Sequence, residues 1–523
     1  NALTEGLTSI ATLLAQKDKA AAAAVKKIIV TQFNFFSPSL GQRTHFAGFE
    51  KNLITDSYNE KKEGLRELLE RADTGSIDYK RFSFVIQLLW DYMNPELNPL
   101  FYEDGTFEKG IAAFLLSTGV TSLAPEHETW GYRVGDNLAT TKGYVVFENE
   151  IMQLLYYPVE EEKSKEKPVF IIPPWINKYY IFDLSKHNSY IKWLNQQNIA
   201  AYCVSWVNPD STFSGQSFAH YITKGIHCAV QKALAHSAVQ QINMVGYCVG
   251  GVALHVYAGW LAEQKVKSIA SLTFLATPFD FEKLDNLRLF MSEDQITHIE
   301  GFVAEEGVFK GDRMMKTFAL LRTNDLIIHA IIDQIYRGKK QKPLDFLFWN
   351  ADVMHLPGKM HLDFLRDIFL KNSFLKEPRI LSGLPVNFKG IDCPVYVLGT
   401  KKDHIVPWES CYSAFDIYKN VTFCLGGAGH VAGIINPPEQ KKYGYHTSQG
   451  KTKLTQDWFS QSDFHTGSWW THWHKWIKPH LGKMRQTQQS TKTEALEKAP
   501  GRYALQKAPA VLKSAKNAGA SQA

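Results

Sequence analysis

The stretch INMVGYCVGG, residues 242–251, decides the fold. Its first four residues, 242–245, are mostly apolar and predict a buried strand, whereas the residues from Val252 onward have the apolar spacing of a helix. Between the two, the pattern Gly-x-Cys-x-Gly places Cys248 in a tight turn from strand to helix. Glycines on both sides let the backbone close sharply, so the side chain between them projects from the carboxyl edge of the sheet.

Short apolar segments that alternate with helical patterns surround this turn. Predicted strands lie at residues 169–172, 200–206, 242–245, 269–275, 395–398 and 421–425, and predicted helices at 217–237 and 252–264. Such alternation is typical of a parallel sheet with crossover helices. A nucleophile between a strand and a helix is the nucleophile elbow of α/β-hydrolases, here with cysteine in place of serine. We therefore predict an α/β fold with an α/β-hydrolase core.

Composition divides the 523-residue chain into three predicted parts. Leucines at helical spacing indicate a mostly helical N-terminal domain at residues 1–130. The catalytic domain is predicted at 131–480, with a large cap or lid insertion at about 278–378, because the strand–helix alternation stops after Thr277 and resumes at Val395. Residues 481–523 are rich in Ala, Lys and Gln, which predicts a basic, flexible C-terminal tail.

Charge and cysteine usage exclude several classes of protein. The formal net charge is +6, but the segment from Lys478 onward holds nine basic and two acidic residues, so the remainder is close to neutral. A folded body without a basic surplus argues against nucleic-acid binding. The six cysteines form no C-x-x-C pair, which fits a reducing compartment and offers no metal site. With no apolar run near 18–20 residues and no secretory pattern after Asn1, we expect a cytoplasmic enzyme without a transmembrane segment.

A nucleophilic thiol needs a base that is held by a third group. The predicted strand at 395–398 leads to Asp403, and the predicted strand at 421–425 leads to His430. In α/β-hydrolases the acid and then the histidine follow late strands, so the order Cys248, Asp403, His430 matches nucleophile, acid and base. His404 is a secondary candidate for the base, poorly placed because it adjoins the acid in sequence. The backbone N–H of Val249 is expected to serve as one oxyanion donor.

Several motifs resemble those of polyhydroxyalkanoate synthases, also called poly(3-hydroxybutyrate) polymerases, and the predicted N-terminal region is similar in size to that of the single-subunit class I enzymes. The motifs are VGDNLATT (134–141), PPWINKYYIFDL (173–184), SWVNPD (205–210), GYCVGG (246–251), FLFWN (346–350), DHIVPW (403–408) and GH (429–430). Two places depart from the family pattern. Val207 stands where the family usually has Arg, and the residues around 360–363 differ from a Trp/Tyr-rich run.

The resemblance implies polymerisation of (R)-3-hydroxyacyl-CoA, usually 3-hydroxybutyryl-CoA, into polyester with release of CoA through a thioester on Cys248. It implies no cofactor, a homodimer at the surface of cytoplasmic polyester granules, and contact with granule-associated proteins. The second oxyanion donor is expected from the loop after the strand at 169–172, with Ile176 as the choice. Asp183 is a secondary site candidate, for which a turn or cap role is equally open.

Two alternatives remain open at this point. A Cys-triad hydrolase of the dienelactone hydrolase kind carries the same Gly-x-Cys-x-Gly-Gly turn, although the length of the chain and the large insertion disfavour it. A catalytically silent protein that binds polymer through aromatic residues is the second alternative. Three correctly ordered triad residues argue against a mere binder.

Overall fold

The computed structural model describes residues 131–284, 287–288, 291–315, 344–376, 378–487 and 495–509. The strands within these residues are β1 (Tyr144–Glu148), β2 (Met152–Tyr157), β3 (Lys163–Lys165), β4 (Val169–Ile172), β5 (Ala201–Trp206), β6 (Ile242–Tyr247), β7 (Ile269–Leu275), β8 (Val308–Phe309), β9 (Leu356–Pro357), β10 (Ile380–Leu381), β11 (Leu384–Pro385), β12 (Val395–Thr400), β13 (Val421–Gly426), β14 (Tyr445–Thr447), β15 (Asp463–His465), β16 (Met484–Gln486) and β17 (Glu497–Lys498).

The α-helices are α1 (Tyr190–Gln196), α2 (Phe218–His220), α3 (Cys228–Ser237), α4 (Val249–Glu263), α5 (Glu293–Glu306), α6 (Asp345–Ala351), α7 (Gly358–Asp363), α8 (Trp408–Tyr412), α9 (Thr455–Ser460), α10 (Trp469–Ile477) and α11 (Arg502–Leu505). Single turns of 3-10 helix occur at Tyr179–Phe182, Ser211–Phe213, Phe281–Lys283, Ser373–Lys376, Phe388–Gly390, Ser413–Asp416, Pro438–Gln440 and Lys478–His480, and π-helical turns at Tyr221–His227 and Phe364–Leu370.

An eleven-stranded sheet forms the centre, in the order β15-β14-β13-β12-β7-β6-β4-β5-β2-β1-β17. The six strands from β13 to β5 pair in parallel, and the strands outside them pair antiparallel. Every residue of β4, β5, β6 and β12 is buried, as is usual for parallel strands covered on both faces. These six strands are the ones that the sequence predicted, so the α/β-hydrolase architecture is confirmed.

Helix α4 packs unusually close to the strand ends that precede it. A Cβ atom on Gly250 would lie 2.3 Å from the carbonyl oxygen of Ile172, and one on Gly251 would lie 1.9 Å from Oγ1 of Thr277. No side chain fits at either position, so the first turn of α4 rests directly on the backbone at the end of β4 and on the side chain of Thr277, just after β7. This contact fixes the turn that carries Cys248.

A long segment, here called the insertion (residues 276–394), separates two neighbouring strands. β7 ends at Leu275 and β12 begins at Val395, yet the two pair in parallel. The sheet is therefore continuous across the insertion, whose two ends leave and re-enter it side by side. Its described part contains helices α5, α6 and α7, and a two-stranded pairing of β8 with β9.

Within residues 481–487 and 495–509, the chain forms short strands and a helix in place of the flexible tail expected from residue 481. Strand β16 pairs with β3, and β17 pairs with β1 at the edge of the large sheet. Helix α11 then buries Tyr503 and Ala504. Backbone pairing, which composition does not reveal, holds these residues against the domain.

Two expectations fall partly or wholly outside the described residues. The helical N-terminal domain predicted at 1–130 lies outside them, as do residues 316–343 of the insertion. Within the described ranges, none of the helices combines the length and the apolar character that crossing a membrane requires.

Replacing Gly250 by Ala tests the contact between α4 and β4. We expect a loss of about 1–3 kcal/mol in the free energy of unfolding, because the new methyl group meets backbone atoms that cannot rotate away. Urea denaturation measures the loss. Gly215→Ala is the matched control, since a Cβ there has nothing within 4 Å. Equal stability of the two variants would contradict the close packing of α4.

Candidate active site

The ends of four parallel strands bring the predicted site residues to one edge of the sheet. Cys248 follows β6, Asp403 follows β12, His430 follows β13, and Ile176 follows β4. Because all four strands run in the same direction, their carboxyl ends meet at the same edge. Cys248, Asp403 and His430 are all buried.

Cys248 occupies a strained position between strand and helix. Its backbone has φ +53° and ψ −125°, a conformation that non-glycine residues rarely adopt and that costs about 1–3 kcal/mol. The surrounding structure holds it: the N–H of Cys248 donates to the carbonyl of Leu275 at 2.9 Å, and its own carbonyl accepts from Gly251 at 2.9 Å. The residue is 8% exposed. The sulfur is therefore presented at the sheet edge on a rigid turn.

His430 links the thiol to the carboxylate. Its Nδ1 donates to Oδ2 of Asp403 at 2.7 Å, and the neighbouring Cys248 side chain helps to raise the pKa of the imidazole. Since the carboxylate occupies Nδ1, Nε2 is the ring nitrogen that remains for the sulfur. The three side chains are therefore neighbours at one edge of the sheet.

Asp403 is held in one orientation by four donors. Oδ1 accepts from the backbone N–H groups of Ile405 and Val406, both at 2.9 Å, and Oδ2 accepts from Thr400 Oγ1 at 2.9 Å as well as from His430. Burial raises the pKa of Asp403, but the charge and hydrogen bond of His430 and the two N–H groups outweigh it and lower the pKa overall. The carboxyl group is thus kept ionised.

The interaction between Asp403 and His430 shifts the pKa of His430 in the opposite direction, upward. Burial lowers the pKa of the imidazole, yet the negative charge of Asp403 and the neighbouring Cys248 sulfur raise it to about 10. The protonated imidazole is therefore stable in a site that excludes most water. A cation at this place stabilises an adjacent sulfur anion electrostatically.

The two residues predicted to supply oxyanion donors lie in the elbow and in the loop after β4. Val249 is the first residue of α4, so its N–H is one of those at a helix start that have no partner within the helix. Ile176 lies in the loop after β4, and its carbonyl accepts from the N–H of Met354 in the insertion at 2.9 Å. That bond turns the carbonyl toward the insertion.

The secondary candidates have different surroundings. His404 directly follows Asp403 and is partly exposed. The ring that bonds Oδ2 of Asp403 is that of His430. Asp183 is 1% exposed and accepts hydrogen bonds from Ser189 Oγ at 2.6 Å and from both the N–H and Oγ1 of Thr141. Its carboxylate thus ties the chain before β1 to the start of α1. This arrangement supports the turn and cap role.

Two residues near the site were not singled out from sequence. Thr400 bonds the carboxylate of Asp403, and its only signal is a position three residues before the acid. Tyr247 lies with its ring 5.2 Å from that of His430, and its hydroxyl donates to the His430 carbonyl at 3.1 Å. A tyrosine at the end of a buried strand has the pattern of a core residue, so no feature of the sequence assigns it to the site.

Comparisons with known proteins cover most of the chain. A model described as the N-terminus of poly-beta-hydroxybutyrate polymerase (PhaC) matches residues 48–194, and an alpha/beta hydrolase fold model matches residues 180–437. The poly(3-hydroxyalkanoate) polymerase subunit PhaC of Cupriavidus necator is 35% identical over 469 residues, which are 85% of this chain and 79% of that protein. The chain belongs to the poly(3-hydroxyalkanoate) polymerase family. The family resemblance predicted from the motifs is thereby confirmed.

A further curated relative and one solved structure are also similar to this chain. The PhaC subunit of Rhizobium etli is 34% identical over 379 residues, 72% of this chain and 60% of that protein. Among solved structures, an alpha/beta fold family hydrolase from Bacillus anthracis matches with a TM-score of 0.34 and 13% identity, over 56% of this chain and 95% of that one.

The pH dependence of stability tests the His430–Asp403 pair in this polymerase. Because the pKa of folded His430 lies above its ordinary value of 6.5, its contribution to stability is complete below pH 6.5 and is lost as the pH rises toward about 10. In Asp403→Asn the main cause of the raised pKa is gone. We therefore expect the difference in free energy of unfolding between wild type and Asp403→Asn to shrink steadily from pH 7 to pH 10.

Urea denaturation across that pH range measures the difference. Asp416→Asn is the control, because Asp416 forms a largely exposed ion pair with Lys451 and should change stability little at any pH. A pH-independent difference for Asp403→Asn would show that the carboxylate does not set the pKa of His430.

Proposed function

We propose that this polymerase joins (R)-3-hydroxyacyl-CoA units, with 3-hydroxybutyryl-CoA as substrate, through a covalent thioester on Cys248. Cys248 is the nucleophile, His430 transfers protons, and Asp403 orients His430 and balances its charge. The observation that carries the proposal is the bond from His430 Nδ1 to Asp403 at 2.7 Å, with Cys248 at the same carboxyl edge of the sheet, where its side chain raises the pKa of His430. His430 is assigned this role in preference to His404 because its ring bonds Oδ2 of Asp403.

In the first step the thiol proton resides on His430, and the sulfur attacks the thioester carbonyl of the substrate. The raised pKa of His430 supports its role as the group that takes up a proton. The C–S bond to CoA breaks, the CoA sulfur takes the proton from His430, and the acyl group remains on Cys248. One thioester replaces another, so the acyl group stays activated, which an ester on serine would not achieve.

In the second step His430 is neutral and accepts the proton of the 3-hydroxyl group at the end of the growing chain. That oxygen attacks the carbonyl held on Cys248, an ester bond forms and the C–S bond breaks. The sulfur leaves beside the newly protonated imidazole, which restores the starting state. Each cycle lengthens the polyester by one unit and releases one CoA.

Both steps pass through a tetrahedral oxyanion. We assign its two donors to the backbone N–H groups of Val249 and Ile176, which lie at the start of α4 and in the loop after β4. The position of Val249 on the rigid elbow supports the first assignment. The bond from Met354 to the carbonyl of Ile176 supports the second, because it fixes the orientation of the loop.

Chain growth requires that water lose the competition for the acyl group. Cys248 is 8% exposed and His430 is 7% exposed. Trp175, in the loop after β4, packs its ring 6.0 Å from Phe364 of the insertion. We propose that the insertion acts as a lid that keeps the acyl enzyme dry.

We also propose a homodimer acting at cytoplasmic polyester granules, on the strength of family membership.

Cys248→Ala should abolish CoA release and polymer formation from (R)-3-hydroxybutyryl-CoA, because no acyl group can then be held. Thiol release and sedimentable polymer are measured together. Cys228→Ala is the matched control, since Cys228 is a partly buried thiol on α3 and should leave both signals unchanged.

The same assay separates the alternatives. Thiol release with polymer in the wild type supports the synthase, whereas thiol release with free 3-hydroxy acid would indicate a hydrolase. Neither signal would indicate a polymer-binding protein. Polymer formation by Cys248→Ala would refute the covalent mechanism.

A further inference from the structure

A buried lysine in the loop after β4, Lys178, joins three distant parts of the chain. Its side chain is only 4% exposed, and Nζ lies 3.0 Å from Oδ1 of Asp352 in the insertion. The same Nζ donates to the carbonyl of Gln506 at 2.5 Å. An ammonium group removed from water needs charged and polar partners, and both come from segments outside the central strands.

The insertion holds the loop of Lys178 at several further points. Trp349 Nε1 donates to the carbonyl of Lys178 at 2.7 Å, and the N–H of Met354 donates to that of Ile176 at 2.9 Å. Tyr180 donates its hydroxyl to the second oxygen of Asp352 at 2.8 Å. Asp352 therefore bridges Lys178 and Tyr180, and the loop cannot shift without breaking these bonds.

The third segment is the C-terminal stretch of residues 495–509, here called the strap. It is anchored away from the loop, where β17 pairs with β1 and Tyr503 is 7% exposed. The N–H of Tyr503 donates to Gln153 Oε1 at 3.2 Å, and its hydroxyl donates to the carbonyl of Asn149 at 3.0 Å. From this anchor the strap runs to Gln506, which contacts Lys178.

The strap also contacts the insertion directly. Nδ1 of His355 accepts from the N–H of Gly311 at 3.1 Å, so the other ring nitrogen carries the proton. That Nε2 donates to the carbonyl of Pro509 at 3.2 Å. The strap, the insertion and the loop after β4 thus form one connected unit around Lys178.

We infer that Lys178 is a positioning residue, which places the N–H of Ile176 for the oxyanion and depends on the strap to do so. The inference rests on the proposed function, because Ile176 is two residues from Lys178 and is the proposed second donor. Release of the strap removes the Gln506 carbonyl from Lys178 and lets the loop move. A displacement of about 1 Å lowers the rate of acyl transfer about a hundredfold.

Two reactions of Cys248 distinguish a loss of oxyanion positioning from a general disturbance of the site. Acylation by p-nitrophenyl acetate passes through an oxyanion, whereas alkylation by iodoacetamide does not. Tyr503→Ser releases the anchor of the strap without touching the site, and Leu505→Ser is the matched control on the same helix, since Leu505 is 54% exposed. Both rates are measured at Cys248 by peptide mass analysis of the full-length protein.

We expect Tyr503→Ser to slow acylation about a hundredfold while alkylation is unchanged. Leu505→Ser should change neither rate. Lys178→Met combined with Asp352→Asn, which leaves no unpaired buried charge, should reproduce the selective loss of acylation. Equal rates of acylation in Tyr503→Ser and wild type would overturn the inference, and so would an equal fall in both reactions.

A measurement that does not depend on a reaction of Cys248 tests the inference independently of the proposed function. If wild-type Cys248 is not acylated at all, the proposed nucleophile is wrong. Hydrogen exchange of backbone amides at residues 176–180 then decides the structural link. Faster exchange in Tyr503→Ser than in Leu505→Ser supports the link, and identical exchange refutes it.

Discussion

The direct contact between the first turn of α4 and the ends of β4 and β7 is the constraint on which the site depends. It is possible because Gly250 and Gly251 present no side chain to the backbone of Ile172 and to Thr277. The contact forces Cys248 into its positive φ and aims the sulfur along the sheet edge. A looser turn would relieve the strain, but it would no longer hold the thiol in one place at the sheet edge. The rigid position of Cys248 therefore comes with local backbone strain.

The central strands could be predicted from sequence, whereas the outer strands could not. β4, β6 and β12 are buried on both faces, so they read as continuous apolar runs between turn residues. The outer strands carry polar residues: β15 is Asp-Phe-His and β17 is Glu-Lys. The outer strands form because a neighbouring strand provides unpaired backbone N–H and C=O groups. The local composition of a segment does not indicate which strand lies beside it.

The three linked side chains of the site could be predicted because each follows a predictable strand in parallel orientation. Topology alone then brings Cys248, Asp403 and His430 to one edge. The positioning role inferred for Lys178 could not be predicted from sequence, although the residue belongs to the motif PPWINKYYIFDL (173–184). Its burial depends on Asp352 and Gln506, which belong to segments whose course the sequence does not reveal. Long-range partners of this kind are visible only in the folded chain.

The pairing of β17 with β1 has a consequence for biosynthesis. Among the described strands of the large sheet, β1 is synthesised first, and its edge partner lies at residues 497–498. Until those residues are made, this edge of β1 lacks the partner that it has in the folded protein. A nascent sheet with an open edge is prone to associate with other chains. The side of the sheet that is synthesised first is therefore closed only after all of its other described strands have been made.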